Sequence, residues 1–169
     1  NGGVMRLYVN GAEEGTAAAV GTMTTVRDAV YVGAATGGGF GAFDGWIDEV
    51  RTWTDVRTPD EILDAMNLYL RGIEDHLEAC YRFDSTWGSD LFDSSRGGQD
   101  AWFGPAVDSY IWTHQARQYD GVDDFDEIPQ ATAPPPAYTV EAWVRPQSTG
   151  IRNILVLTDG DATTSYNRQ

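Results

Sequence analysis

Strand-like runs recur along this chain at short, turn-separated intervals, and only once does the apolar spacing change to that of a helix. Val4 to Asn10 ends in Asn10-Gly11, a dipeptide suited to a hairpin turn because both residues tolerate positive φ. Further strands are predicted at Ala29 to Ala34, Trp46 to Trp53, Leu77 to Phe83, Gln118 to Tyr119, Tyr138 to Arg145 and Ile151 to Leu157. The glycine-rich stretch 37–45, Gly97-Gly98 and Pro134-Pro135-Pro136 separate them as loops. A doubly wound α/β fold needs long helices alternating with strands, and these are missing from the pattern. The chain therefore reads as all-β: an antiparallel β-sandwich with one short helix.

The start of that helix is well marked. Thr58 is placed as N-cap, Pro59 occupies the first helical position, and Glu61 can reach back as the capping-box partner. Ile62, Leu63, Met66 and Leu70 form its apolar stripe, and Gly72 can end it.

Composition bounds the chemistry. With 169 residues, 41% of them apolar, the chain can bury one full core or two small ones. A formal charge of −15 disfavours nucleic acid and anionic membranes, whose binding relies on Lys and Arg, and favours divalent cations or uncharged ligands. All eleven basic residues are Arg, so lysine-dependent phosphate loops and Schiff-base chemistry are excluded. Cys80 is the one cysteine and reads as a small buried hydrophobe. No stretch has the length of a membrane-spanning helix, and Asn1-Gly2-Gly3 carries neither an initiator Met nor a signal peptide, so the chain reads as an internal piece of something longer.

Three segments together resemble the laminin G-like, concanavalin A-like jelly-roll family. Leu7-Tyr8-Val9-Asn10-Gly11 is similar to a strand and turn near the middle of that domain, and Phe43-Asp44-Gly45-Trp46-Ile47-Asp48-Glu49-Val50-Arg51 to its closing strand. Tyr119 to Phe125, with Tyr138 to Arg145, resembles its early strands. The order is inverted: residues 1–72 resemble the C-terminal half of one repeat and residues 73–169 the N-terminal half of another. Two arrangements fit. The halves fold back on each other as one permuted sandwich, a direct path if the family's first and last strands lie together, or they belong to successive repeats of an array. In either case the strands expected between Gln169 and Asn1 are absent, and unpaired edges would invite another chain.

Asp120, Asp123, Asp124, Asp126 and Glu127 crowd one turn, where carboxylates repel unless a cation sits among them. Calcium, which takes six to eight oxygens in flexible geometry, suits such a turn, although the spacing is not that of an EF-hand. The resemblance implies a cation near Asp120, with Asp48 as a companion to Asp120, Asp123 and Asp124. A solvated turn in which Asp124 caps backbone amides is the competing reading. Asp48 and Glu49 also invite comparison with the family's glucanases, which need two carboxylates on one face about 5 Å apart. Adjacent strand residues point to opposite faces, and the required Glu-x-Asp-x-Glu alternation is missing, so no catalysis is expected.

Trp87, Trp102 and Trp112 stand in loop-like, polar surroundings as ligand-binding candidates, with the acidic turn Asp159-Gly160-Asp161, whereas Trp46 and Trp143 read as core. Asp90 to Asp93 forms a further acidic turn, and His76 and His114 are isolated. The expected function is a secreted or surface-displayed, calcium-stabilised recognition module for glycans or cell-surface proteins. The alternatives are a subunit of an extracellular fibre assembled by strand complementation and an ancillary domain of a secreted hydrolase.

Overall fold

A computed structural model describes residues 3–19, 29–34, 41–84, 90–103, 116–129, 137–150 and 152–157. Every ladder among the described strands is antiparallel. The long central strand β4 (Asp44–Trp53) organises one sheet. Along one side it pairs with β10 (Thr139–Pro146). The other side is shared: its first half takes β8 (Arg117–Asp120) and its second half takes β5 (Leu77–Tyr81). The second sheet runs β11 (Leu155–Leu157), β3 (Ala29–Val32), β9 (Asp126–Pro129), β7 (Ala101–Phe103), β6 (Asp90–Leu91).

Residues from both sheets meet in one core: Val30, Val32 and Ile128 from one, Ile47, Val50, Tyr81 and Tyr119 from the other, all almost fully buried. This is the sandwich expected from the strand pattern. The strands before and after Gly72 are interleaved in both sheets, since β4 pairs with β5, β8 and β10 while β3 pairs with β9 and β11. Gly33 (φ +85°) admits the Tyr119 ring from across the core, because a Cβ there would lie 2.2 Å from the ring.

The helix α1 (Pro59–Ala65) begins as the sequence predicts, with the full Thr58–Glu61 capping box. It is shorter than its stripe suggested: Ala65 is buried, Leu63 is largely exposed, and Leu70 joins Trp53, Leu77 and Cys80 in a small cluster beyond the helix. Arg51, almost wholly buried, donates to the main-chain oxygens of Ala65 (2.9 Å) and Leu68 (2.7 Å), which ties the helix end onto the outer face of β4.

The hairpin of β1 (Val4–Val9) and β2 (Ala12–Ala18) pairs only with itself among the described residues. Its turn touches the helix, where Gly11 (φ +78°) leaves room for Leu63, but its strands expose Val4, Met5, Leu7 and Val9.

Candidate functional site

At the rim of the sandwich, the turn after β8 gathers Asp120, Asp123 and Asp124, one carboxylate oxygen of each lying within 4.8 Å of the others. The local folding is readable bond by bond. Asp120 Oδ1 accepts from the amides of Val122 (2.7 Å) and Asp123 (3.4 Å), the Asx turn that Asp-Gly sequences favour. Asp124 Oδ2 accepts from the Asp120 amide (2.9 Å), so Asp124 does cap a backbone amide and stitches the turn closed. Asp123 and Asp120 face solvent while Asp124 is buried. Burial pushes the Asp124 carboxyl up, the Asp120 amide opposes this, and the neighbouring charges of Asp120 and Asp123 add to the rise. Three acceptor groups with repelling charges are thus held where a hard cation with oxygen ligands would relieve them.

Asp44 was not among the sequence candidates. It stands opposite Asp120 in the β4–β8 ladder, and Gly121 packs against it so closely that a Cβ there would lie 2.7 Å from the Asp44 Cβ. Only the strand register, which no local motif reveals, brings this fourth carboxylate beside the turn.

The remaining members of the acidic run are elsewhere. Asp126 is fully buried, paired with Arg117 at 3.1 Å and accepting from the Tyr119 hydroxyl at 2.5 Å. Glu127 lies on β9. Asp48, further along β4, has Glu49, Asp84 and Arg51 as its charged neighbours and is not grouped with the three carboxylates of the turn.

Asp48 and Glu49 overturn an expectation. Adjacent residues of a regular strand face opposite ways, yet Ile47 and Val50 both enter the core, so Asp48 and Glu49 both lie on the outer face. The cause is a β-bulge: Trp143 pairs with Asp48 and Glu141 with Arg51, giving β4 one residue more than β10 over the same interval. Glu49 absorbs it in a left-handed conformation, φ +48°. Trp143 is not core: Ala142 beside it on β10 packs against the core, so Trp143 faces outward, its indole Nε1 donates to the Met66 carbonyl oxygen at 2.8 Å and the residue is 41% exposed. Trp46 is half-buried.

Of the other candidates, Trp102 lies on β7 at the Asp90 pairing, with its side chain outside the described residues, while Trp87, Trp112, Asp159, Asp161 and His114 lie outside them altogether. Asp93 is spent on its own loop, accepting from the amides of Cys80, Ser95 and Gln99 and from the Ser95 hydroxyl.

Residues 1–63 match the family model described as the concanavalin A-like lectin/glucanases superfamily, of the laminin G kind. No curated protein and no solved structure matches the chain.

Proposed function

We propose that this chain is a non-catalytic, extracellular recognition module in which calcium, held at the Asp120–Asp124 turn, stabilises the rim that contacts glycans or cell-surface proteins. The observation that carries the reading is the convergence of the Asp120, Asp123 and Asp124 oxygens within 4.8 Å. Asp44, opposite Asp120 in the ladder, adds negative charge near the turn without joining the group of three, and backbone carbonyls and water would complete the six to eight oxygens calcium takes. The family match over residues 1–63 supports a carbohydrate- or protein-binding role. With Asp48 and Glu49 on one face, the reading without catalysis rests on the missing Glu-x-Asp-x-Glu alternation. In this reading Asp48 lies off the cation site, and Trp87, Trp102, Trp112, Asp159 and Asp161 remain proposed ligand contacts.

The interleaved sheets support one permuted sandwich built from the two half-repeats, 1–72 and 73–169. Binding of the chain to a glycan array in calcium, repeated with a chelator, tests the function. Signals that vanish on chelation agree with it, and signals indifferent to calcium refute the cation's part.

A second reading, a fibre subunit assembled by strand complementation, is favoured by one observation: the β1–β2 hairpin, which exposes apolar residues and pairs only with itself among the described strands.

A further inference from the structure

The bulge in β4 sits under a cleft of about 370 Å³, between β10 and the connection that follows α1. The cleft is a broad depression open to solvent rather than an enclosed cavity, the form of site that takes one face of a ligand. Two exposed aromatic residues line it, and each is held by a hydrogen bond. Trp143 is anchored through its indole bond to Met66. Tyr69, 68% exposed, carries the Arg82 guanidinium 4.1 Å from its ring centroid and accepts from Arg82 Nη1 at 2.8 Å. Rings held this way need little ordering when a ligand arrives.

Asp48 and Glu49 lie below them with unequal charge balance. Glu49 Oε2 takes Arg51 Nη2 at 2.9 Å and Nε at 3.1 Å, and Arg51 also lies 3.8 Å from Glu141, so this cation is already shared between two carboxylates. Asp48 accepts the Glu49 amide at 2.7 Å and, among the described residues, forms no ion pair. Burial, then the negative charges of Glu49 and Asp84, push its carboxyl up to about 6 against the Glu49 amide bond and Arg51. A ligand that brings its own positive charge on a flat frame would neutralise Asp48 and cover the rings.

We propose that this cleft binds a sugar residue bearing a free ammonium group, with the ammonium at Asp48 and a ring face against Trp143. The broad cleft with two exposed rings suits a pyranose better than a slender lysine side chain, which would leave most of it unfilled. The inference rests on the glycan-recognition reading but uses a different place from the acidic turn, so the two can fail separately.

Calorimetry on the full chain at neutral pH tests it, with four probes: a glucosamine tetramer, its N-acetylated form, a glucose tetramer and an Nα-acetyl-lysine amide. The glucosamine tetramer should bind at least tenfold tighter than the others, and its affinity should fall as pH drops through about 6 and Asp48 loses its charge. Asp48→Asn should remove that preference and its pH dependence, and Tyr69→Ala should weaken binding, with both variants melting as the parent does on calcium addition. Equal binding of acetylated and free amines, an undiminished Asp48→Asn variant, or a lysine probe that binds as well would overturn the inference. Binding of neutral sugars alone would also overturn it and leave glycan recognition standing, whereas a chain that binds none of these probes and nothing on a glycan array would remove both.

Discussion

Arg117 Nη2 lies 3.1 Å from Asp126 Oδ1, with Arg117 on β8 of one sheet and Asp126 on β9 of the other, so a buried ion pair bridges the two layers. Tyr119, two residues beyond Arg117, donates its hydroxyl to the second Asp126 oxygen. Replacing Arg117 with Leu would leave the Asp126 charge buried and uncompensated, and a loss of about 3–5 kcal/mol of stability is expected. Tyr119→Phe, which removes one hydrogen bond and keeps the ring, should lose about 1–3 kcal/mol. Urea denaturation at neutral pH checks the order: Tyr119→Phe costing more than Arg117→Leu would contradict it.

The same carboxylate makes stability depend on pH in an uncommon direction for an acid. Burial pushes Asp126 up to about 6, with the Arg117 charge and the Tyr119 bond opposing. Because the folded state holds the proton more tightly than the unfolded chain, this contribution is full below about pH 4 and is lost as pH rises through about 6. Asp48, Asp124 and Glu141 shift the same way, each first through burial. Across that window Asp126 and Asp48, both pushed up to about 6, each remove at most about 1.4 kcal/mol per pH unit. Carbon NMR of the Asp126 carboxyl reads the point directly: a midpoint near pH 6 agrees, and a carboxylate still ionised at pH 4 contradicts it.

Much of this architecture could be read from residue order alone. The helix start was legible because a capping box is local: Thr58, Pro59 and Glu61 act within one turn. The sandwich was legible from turn spacing. The acidic turn was legible for the same reason as the cap, since Asp120, Asp123 and Asp124 are near neighbours. What escaped depends on pairing between distant strands. The bulge at Glu49 shows only in the β4–β10 register, and without it Asp48 and Glu49 fall on opposite faces; Trp143 reads as core because its β10 neighbours are apolar on both sides, and alternation alone does not say which of them face inward. Asp44 reaches the acidic turn through the β4–β8 ladder, and short strands such as β6 and β7 have too few residues to show an alternation.

Thr58→Ala isolates the cap. The variant loses the side-chain acceptor for the Glu61 amide and the hydroxyl donor to the Glu61 carboxylate, which keeps the Thr58 amide, and should be about 1 kcal/mol less stable. Chemical denaturation measures this, and a change within error of zero would show that the box contributes nothing to the fold.

The β1–β2 hairpin predicts concentration-dependent association through its exposed Val4, Met5, Leu7 and Val9. Light scattering should show the apparent mass rising with concentration for the parent chain and staying monomeric for Leu7→Lys. A parent chain that remains monodisperse at high concentration would remove the fibre reading.

Thermal melting with and without calcium bears most directly on the proposed cation site. A cation that binds only the folded chain adds about 2.7 kcal/mol at one hundred times its dissociation constant, which for a domain of this size raises Tm by about 5–10 °C. Asp123→Asn is the matched control, because Asp123 offers a carboxylate to the cluster while its side chain carries none of the turn's described hydrogen bonds. The account predicts a calcium-dependent rise that a chelator reverses and Asp123→Asn abolishes; a melting curve unmoved by calcium and chelator alike would contradict it.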